Sequence, residues 1–468
     1  MRPPLVCDTL PQVMTETPPA QQEQLIAEQQ AFFRAGRTRS LDDRLAILTR
    51  FETVLRDHQE ELLRVLAADL GKPTLEAFLS EYHFVLQEIR LMRKCLRRWL
   101  QPRSFSSPLY FWPCRNEVRR EPHGNTLLIA PWNYPVQLAL GPLLGAVAAG
   151  NTVILKPSEE APATAAFLER VLAEIFPPGW VAVVQGGKEV THSLLQHRFD
   201  FLFFTGSSRV GRIVAGQAAR HLTPHVLELG GKCPCVVDGS ADLTMAAKRI
   251  LTGKLFNAGQ TCFAPDFVAV EEAVAGELQD ELTEWLTRLP WEKELARIVN
   301  RKHYERLQGL LKGNEIGKGC DQPDELGMAP RLVPGAQWGD DCMKEEIFGP
   351  ILPLVSYRDE SELYARLSSY PEPLALYCFS KDKGFVERLV REVPSGGVCV
   401  NDVGKQASNP NGSFGGKGES GYGRYRGEAS VRAFTYERTY SRRYFFPDPF
   451  ASLPPRDKQT RLLRKWLK

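Results

Sequence analysis

The sequence predicts an α/β protein built on a doubly wound parallel sheet. Between Asn125 and Leu229, short apolar runs alternate with segments of helical length. The predicted strands are TLLIA, TVILK, VAVVQ, FDFLFF and VLEL, and helices are expected to end near Gly150 and His197 and to begin at Pro162 and Val210. Strands separated by helices of about ten or more residues form βαβ units, which pair into a parallel sheet covered on both faces. This pattern is typical of nucleotide-binding sheets.

Length and composition indicate a compact globular chain. At roughly 150 residues per domain, the 468 residues correspond to two large domains or to about three smaller ones. Hydrophobic residues make up 43% and charged residues 25%, which argues against a disordered or collagenous chain. Ten cysteines without the dense spacing of small secreted domains are interpreted as reduced thiols.

Charge and hydropathy argue against two classes of partner. The chain has 59 basic and 56 acidic residues, a net charge of +3, so its overall charge does not favour nucleic acid. No apolar region follows a basic start at the N-terminus, and no run reaches the roughly 18 apolar residues that span a bilayer. We therefore expect a cytoplasmic protein.

The region before the sheet is predicted to be mostly helical. Residues 1–21 are rich in Pro, Thr and Gln and are expected to form a loose extension. From near Gln24 to about Leu100, apolar residues recur at spacings of three and four, which predicts two or three helices. The segment from Arg103 to Arg120 breaks this period with prolines and aromatic residues, which predicts an extended ribbon of the kind that pairs across subunits.

After Gly230 the alternation of strands and helices continues less regularly. Strands are expected at 235–238, 266–270 and 398–401, with a long helix at 274–288. A Gly-rich loop at 409–427 precedes strand-like aromatic segments at 433–436 and 444–446. This part of the chain is therefore predicted to be a second α/β unit.

Three residues have the chemistry of a covalent reaction. Cys262 follows the small, polar loop of FNAGQTC, where backbone amides can approach a thiolate. Glu228 ends the apolar strand VLEL, where burial would raise its pKa toward that of a general base. Asn133 lies in the Pro-flanked turn APWNYP, as a fixed N–H donor. The alternatives are a buried thiol, an ion-pair partner and a turn residue, respectively.

Other segments could bind a dinucleotide. FTGSSRVG follows a predicted strand and opens a helix, so the loop from Gly206 through Ser207 to Gly211 offers backbone N–H groups to a pyrophosphate. In KPSE, Lys156 and Glu159 follow another strand at the carboxyl edge and could bind a ribose, although an ordinary solvated helix start is the alternative. The segment EEIFGP, residues 345–350, could also be a plain turn into the strand ILPLV.

Six segments in one order closely resemble the aldehyde dehydrogenase superfamily. They are PWNYP, AAGNTVILKPSE, FTGSxxVG, LELGGK, GQTC and EEIFGP, and the resemblance runs from about Gln24 to about Tyr436. Tyr134 in WNYP and HLTP at 221–224 are similar to the class 3 branch, which includes fatty and aromatic aldehyde enzymes. The loop at 403–416 departs from that branch, since it lacks the His and the Leu-Pro-Phe run of those members.

The resemblance implies a catalytic role for three residues. Cys262 is the nucleophile that adds to the aldehyde carbon. Asn133 and the backbone N–H of Cys262 hold the resulting oxyanion. Glu228 activates the water that hydrolyses the thioester. Tyr134 contributes to the aldehyde pocket, and its apolar character favours medium-chain, long-chain or aromatic aldehydes.

The resemblance also implies the cofactor NAD, with NADP possible, and no metal. The Gly206 to Gly211 loop would lie at the pyrophosphate, and Lys156 and Glu159 near the adenine ribose. Glu346 would bind the nicotinamide ribose, with Phe348 beside the ring.

The family organisation implies three parts and a homodimer. Residues 1–103 and 122–229 would form the NAD(P)-binding domain, and residues 230–427 the catalytic domain. Residues 104–121 and 428–468 would form a small β oligomerisation ribbon and a C-terminal tail.

Two further hypotheses and two further motifs stay open. The chain could be a cysteine hydrolase or acyl transferase without redox chemistry, or a structural protein that has lost catalysis. Cys233 and Cys235 in KCPC are interpreted as buried thiols, because no second Cys/His pair follows at zinc spacing. In the basic tail 456–468, helical spacing of Leu462, Leu463, Trp466 and Leu467 predicts either weak peripheral membrane contact or a docked or disordered terminus.

Overall fold

The chain forms two mainly parallel sheets and a smaller antiparallel ribbon. The computed structural model describes residues 16–108, 111, 113–445 and 456–466. The described helices are α1 (Pro19–Arg34), α2 (Leu41–Asp57), α3 (Gln59–Leu70), α4 (Thr74–Ala77), α5 (Phe84–Trp99), α6 (Gln137–Ala149), α7 (Pro162–Ile175), α8 (Lys188–Gln196), α9 (Ser208–Arg220), α10 (Leu243–Leu255), α11 (Ala275–Arg288), α12 (Trp291–Glu294), α13 (Arg301–Gln308), α14 (Asp341–Lys344), α15 (Glu360–Leu367), α16 (Lys383–Glu392), α17 (Lys405–Ser408), α18 (Glu428–Ala433) and α19 (Asp457–Trp466). The described strands are β1 (Arg103–Ser104), β2 (Cys114–Pro122), β3 (Asn125–Ile129), β4 (Thr152–Lys156), β5 (Val181–Val183), β6 (Phe201–Gly206), β7 (His225–Leu229), β8 (Pro234–Val237), β9 (Phe267–Glu271), β10 (Arg331–Val333), β11 (Ile351–Tyr357), β12 (Ala375–Phe379), β13 (Gly397–Val400), β14 (Gly421–Tyr422) and β15 (Thr435–Arg443).

The first sheet confirms the predicted doubly wound architecture. Its strand order is β14-β7-β6-β3-β4-β5, and all neighbours pair in parallel except β14, which runs antiparallel to β7. Every residue of β3 and β4 is buried, as expected for strands covered by helices on both faces. The chain adds β4 and β5 on one side of β3 and then β6 and β7 on the other. This reversal places the switch point of the sheet beside β3, where ligands of such folds bind.

The second sheet is a parallel α/β unit, also as predicted. Its order is β10-β11-β9-β8-β12-β13, and every pair of neighbours is parallel. The strands expected at 235–238, 266–270 and 398–401 correspond to β8, β9 and β13, each displaced by one residue. The predicted long helix is α11.

The third sheet is an antiparallel ribbon with the order β1-β2-β15. Its strand β2 begins within the segment 103–120 predicted to be extended and continues two residues beyond it, to Pro122. β15 pairs with β2 along nine residues, from Thr435 opposite Pro122 to Arg443 opposite Cys114. All of β15 after Thr435 is exposed. The ribbon therefore presents one long strand at its edge.

Several predicted boundaries were wrong. Between residues 16 and 100, the described part of the N-terminal region, there are five α-helices and a π-helical segment (Phe78–His83) rather than two or three helices, and α1 begins at Pro19, within the segment expected to be loose. Proline suits the first helical turn because its fixed φ is helical and its missing N–H would have no helical partner. Likewise α9 begins at Ser208 rather than Val210, because the Ser207 side chain accepts from the Val210 N–H and caps the helix.

The C-terminal strand was also misplaced. Ala433 ends α18, so the strand begins at Thr435 and continues to Arg443, before the segment expected at 444–446. Phe446 lies outside the described residues. Of the aromatic residues that suggested the strand, Tyr436 lies within β15, whereas Phe434 and Tyr444 flank it.

Within the described ranges, no helix is long and apolar enough to cross a membrane. The tail contains α19, as its spacing predicts. The side chains of Leu462, Leu463 and Trp466, and residue Leu467, lie outside the described part of the chain. Contact of this tail with a membrane therefore stays a prediction.

Candidate active site

Four of the predicted residues lie at the carboxyl ends of neighbouring parallel strands. Asn133 follows β3, Lys156 ends β4, Ser207 follows β6, and Glu228 is the last residue but one of β7. Parallel strands end at the same edge of a sheet, so these residues gather at one edge of the first sheet. Cys262 comes from the loop that joins α10 to β9 in the second sheet. The candidate site therefore draws on both sheets.

The backbone that leads to Cys262 is unusual. Asn257, Ala258 and Gly259 have φ values of 54°, 52° and 75°. A non-glycine residue in this left-handed region costs on the order of 1–3 kcal/mol, and such strain is concentrated at functional sites. At Gly259 a Cβ would lie 2.2 Å from the carbonyl oxygen of Gly349, so only glycine fits there.

Contacts with distant segments hold this loop in place. Glu76 Oε1 accepts a hydrogen bond from the Asn257 N–H at 2.5 Å, and the Asn257 side chain donates to the Asn133 carbonyl at 2.8 Å. The Gln260 side-chain amide donates to the Arg297 carbonyl at 2.9 Å. These contacts offset the cost of the left-handed backbone and fix where Cys262 emerges.

Cys262 and Glu228 line the same cavity. Tyr134, the predicted substrate residue, lines it as well. The other lining residues are Gln137, Leu138, Thr205, Leu229, Phe263, Leu374, Phe414, Tyr425 and Arg426. Most of this wall is apolar or aromatic, and its polar groups are few.

Glu228 is an isolated carboxyl group in this cavity. It is 2% exposed, and neither carboxyl oxygen has a hydrogen-bond partner among the described residues. Burial raises the pKa of Glu228 well above its usual value, while the positive charges of Arg426 and Arg424 act in the opposite direction. A carboxylate with a raised pKa is a stronger base than an ordinary one, which is the property predicted for a general base at this position.

The Cys262 thiol is held in its protonated form by its surroundings. Burial, with the negative charges of Glu346 and Glu228, raises the pKa of Cys262 to about 12, and Arg426 acts in the opposite direction. The thiolate is the reactive species. Cys262 therefore needs a proton acceptor or additional positive charge before it can act as a nucleophile.

Asn133 is fixed at both its backbone and its side chain. Its carbonyl accepts from the Lys72 ammonium at 2.9 Å as well as from Asn257, and its side-chain amide donates to the Gln260 carbonyl at 2.9 Å. Gln260 is two residues from Cys262. An amide nitrogen carries two hydrogens, so a second N–H remains to be donated at this loop.

Tyr134 is buried beside the same loop. Its hydroxyl lies 2.6 Å from the hydroxyl of Thr261, the neighbour of Cys262, and the Lys72 ammonium lies 4.2 Å from its ring centroid. Lys72 forms a buried ion pair with Glu81. Tyr134 is thus held rigidly in the wall of the cavity.

The predicted phosphate and ribose residues lie along the same edge. Lys156 is buried and pairs with Glu159 at 2.6 Å, and burial lowers the pKa of Lys156. Gly206 ends β6 and Ser207 caps α9, so the start of a 13-residue helix opens at this edge. Gly211 lies inside α9 and packs closely against the Leu229 side chain at the end of β7. A Cβ at this position would come within 2.7 Å of that side chain.

Glu346 and Phe348 approach this edge from the second unit. A Cβ at Gly230 would lie 2.3 Å from Glu346 Oε2, and the Gly231 N–H donates to the same carboxyl. Burial raises the pKa of Glu346 to about 8. Phe348 has a φ of 52° and packs edge-on against Trp132 with ring centroids 5.5 Å apart. The structure thus brings Glu346 next to the strand end that carries Glu228, and Phe348 next to the turn that follows β3.

Two residues at the site were missed. Arg426 lines the cavity, and Glu76 holds the Asn257 loop. The position of Arg426 in the Gly-rich loop 409–427 was the available signal, since GYGRYRG places a basic residue where the chain makes close turns. Glu76 had no such signal, because it lies 181 residues from its partner.

Cys233 and Cys235 are buried thiols, as interpreted from the sequence. The Cys233 sulfur accepts from the Ala375 N–H at 3.3 Å and contacts the Cys262 carbonyl at 3.5 Å. Cys235 lies within β8. Burial raises the pKa of both thiols well above the usual value, which keeps them protonated and unreactive.

The chain is similar to known proteins in both sequence and structure. The aldehyde dehydrogenase family model matches residues 8–440. The 4,4'-diaponeurosporen-aldehyde dehydrogenase of Staphylococcus aureus is 38% identical over 454 residues, which cover 95% of this chain and 99% of the relative. Aldehyde dehydrogenase family 3 member B1 of Rattus norvegicus is 42% identical over 412 residues, which cover 87% of this chain and 88% of the relative. A solved structure described as the substrate-bound state of Staphylococcus aureus AldH superposes with a TM-score of 0.92 at 37% identity, covering 95% of this chain and 99% of that one.

Proposed function

The chain belongs to the aldehyde dehydrogenase family, and we propose that it oxidises an aldehyde to a carboxylic acid through a covalent bond to Cys262, with NAD or NADP as cofactor. The observation that carries the proposal is the cavity shared by Cys262 and Glu228. A thiol that can add to a carbonyl and a carboxyl that can take a proton from water face the same space. Both groups are needed for covalent catalysis followed by hydrolysis.

The first step is addition of the Cys262 thiolate to the aldehyde carbon. A carbon–sulfur bond forms, and the electron pair of the carbonyl moves to oxygen, which gives a tetrahedral hemithioacetal. The free N–H of the Asn133 amide and the backbone N–H of Cys262 stabilise the negative oxygen. Loss of one such donor typically costs about 3 kcal/mol of barrier.

The residues along the sheet edge fit a dinucleotide by their chemistry. The first-turn N–H groups of α9 suit a pyrophosphate, and the Lys156 ammonium and Glu159 carboxylate suit ribose hydroxyls. Glu346 would hold the nicotinamide ribose, with Phe348 beside the ring. When bound, the cofactor supplies the hydride acceptor that turns the hemithioacetal into a thioester.

The ion pair of Lys156 and Glu159 bears on the choice of cofactor. A free carboxylate at Glu159 would repel the 2'-phosphate of NADP. Lys156 lies 2.6 Å from that carboxylate and offsets part of its charge. We therefore propose that NAD is preferred and that NADP is also accepted.

The last step is hydrolysis of the thioester. Glu228 accepts a proton from water, and the water oxygen attacks the acyl carbon. The carbon–sulfur bond breaks, the acid leaves, and the electron pair returns to Cys262 as thiolate. The raised pKa of Glu228 supports this role, since a carboxylate with a higher pKa is a stronger base.

The cavity wall supports an apolar substrate. Tyr134, Leu138, Phe263 and Phe414 supply aromatic and aliphatic surface next to Cys262. Burial of apolar substrate surface contributes about 0.8 kcal/mol per CH₂ group. We propose medium-chain, long-chain or aromatic aldehydes as substrates.

The test of this function uses the purified full chain with NAD, with NADP or without cofactor. Straight-chain aldehydes of increasing length and benzaldehyde are supplied, and the absorbance of the reduced nicotinamide and the acid product are followed. We expect equal amounts of both products, a higher kcat/KM with NAD than with NADP, and a kcat/KM that rises with chain length. Ester hydrolysis that needs no cofactor, with no aldehyde-dependent reduction, would instead identify a cysteine hydrolase.

The ribbon supports a homodimer. β15 pairs with β2 on one side only, and its opposite edge is unpaired within the described part of the chain. Proteins seldom leave a long strand edge uncovered, because it invites pairing with other chains. Tyr436, Tyr440 and Tyr444 are exposed near this edge. Light scattering is expected to give twice the mass of one chain, and a concentration-independent monomer would contradict the proposal.

A further inference from the structure

Arg426 is a buried cationic residue in the wall of the cavity. It is 4% exposed and lies in the Gly-rich loop between β14 and α18, with a φ of 77°. Its guanidinium carbon lies 4.4 Å from the ring centroid of Phe414 and 4.6 Å from that of Phe84. The aromatic rings hold the guanidinium in place and exclude water from around it.

The guanidinium has unused hydrogen-bonding capacity. Its Nε and Nη1 atoms have no hydrogen-bond partner among the described residues. Nη2 donates to the Gln137 side-chain oxygen at 3.2 Å in the amide orientation that satisfies both residues. An arginine side chain is charged at any physiological pH, and a buried charge without a partner is costly. Such a group is expected to act on a negative charge nearby.

Two buried acids flank this arginine. Glu228 lines the same cavity and has no partner for either oxygen. Glu88 lies one helical turn after Phe84 on α5; its Oε2 accepts from the Gly427 N–H at 3.2 Å, and its Oε1 has no partner. Since acids already flank Arg426, an anionic group on the aldehyde would be repelled by them when they are ionised. A role within the protein is therefore favoured over recognition of an acidic substrate.

We propose that Arg426 is a positioning residue whose fixed positive charge favours the ionised forms of Glu228 and Cys262 in the cavity. This inference rests on the proposed function, since it concerns the same nucleophile and base. The direction of the electrostatic effect agrees with it: the charge of Arg426 opposes the rise that burial causes in the pKa of both groups.

Other charged residues also act on the ionisation of Cys262 and Glu228. Glu346 and Glu228 disfavour the Cys262 thiolate, and Arg424 favours the Glu228 carboxylate. Tyr425 is buried beside Arg426, and burial keeps it in its neutral form by raising its pKa above the usual value. Arg424 is exposed and donates to the Gly396 carbonyl at 2.7 Å. Arg426 is thus the buried cation among these groups, where solvent screens its charge least.

The test measures alkylation of Cys262 in the full chain, without aldehyde or cofactor. Iodoacetamide reacts with the thiolate, and mass spectrometry of the Cys262 peptide gives the rate at each pH. Below the thiol pKa, Arg426→Met is expected to lower this rate about tenfold, which corresponds to a shift of about one pKa unit. Arg426→Lys, which keeps the charge, is expected to stay within about threefold of the wild type. The exposed matched control Arg424→Met is expected to change the rate by less than about twofold.

Thermal unfolding shows whether each variant is folded, and Arg426→Gln replaces Arg426→Met if the latter is not. A second readout is the pH profile of kcat, whose ascending limb should move to higher pH in Arg426→Met. An unchanged alkylation rate in a folded neutral variant would overturn the proposal. So would an equal loss in Arg426→Lys, since shape rather than charge would then matter. If the wild type oxidises no aldehyde but the alkylation rates differ as expected, the proposed function fails and the role of Arg426 stands.

Discussion

Replacement of Cys262 by alanine is expected to lower aldehyde oxidation by at least about 10⁴-fold, the scale on which loss of a catalytic nucleophile acts. Without the sulfur, no hemithioacetal forms, and the free aldehyde is a poor hydride donor. The substitution removes one half-buried sulfur from a loop that other side chains hold in place. Cofactor binding and thermal stability are therefore expected to change little. The measurement is kcat for reduction of NAD by a saturating aldehyde, with calorimetry of NAD binding.

Cys320 offers a matched control for this experiment. It is exposed and lies far along the chain from the cavity residues, between α13 and β10. Cys320→Ala is expected to keep the activity of the wild type. A Cys262→Ala protein that still oxidises aldehydes at the wild-type rate would contradict the covalent route. Loss of activity in both variants would point to instability rather than chemistry.

Strand ends were the part of the site that the sequence predicted well. Each apolar run marks a parallel strand, and such strands share one edge, so the relation between Asn133, Lys156 and Glu228 followed from the order of runs alone. The placement of Cys262 beside Glu228 required the resemblance to a family, because the two residues belong to different sheets. Local patterns carry no information about how two sheets face each other.

The parts that were not predicted depend on contacts between distant segments. The left-handed backbone from Asn257 to Gly259 is stabilised by the hydrogen bond that the Asn257 N–H donates to Glu76 and by the close approach of Gly349 to Gly259, which no local propensity signals. Arg426 was missed because a basic residue in a Gly-rich loop is usually solvated, whereas its burial here depends on a contact with the distant Phe84. The wrong helix starts had a different cause: Pro19 and Ser207 are ordinary N-terminal helix signals, and both precede the apolar spacing from which the starts were predicted.

Replacement of Glu228 by glutamine is expected to slow hydrolysis of the thioester by about 10²-fold to 10⁴-fold, the range for loss of a general base. Formation of the thioester needs Cys262 and the cofactor, so the first turnover should persist. We expect a burst of reduced nicotinamide equal to the enzyme present, followed by a slow steady state. The acylated Cys262 peptide should then accumulate and be visible by mass spectrometry. A steady state as fast as that of the wild type would show that another group activates the water.

Stability against pH gives an independent check on the same substitution. Because burial raises the pKa of Glu228 above its unfolded value, this group favours the folded chain below the unfolded pKa and loses that contribution as the pH rises toward the folded pKa. Glutamine does not titrate. The melting temperature of Glu228→Gln should therefore increase relative to that of the wild type as the pH rises from about 5 to about 8. Glu284→Gln, an exposed residue paired with Arg288 on α11, should show neither this trend nor the slow hydrolysis. If the trend is absent while hydrolysis is slow, Glu228 is already ionised in the folded protein, and the charge of Arg426 is the physical reason to examine first.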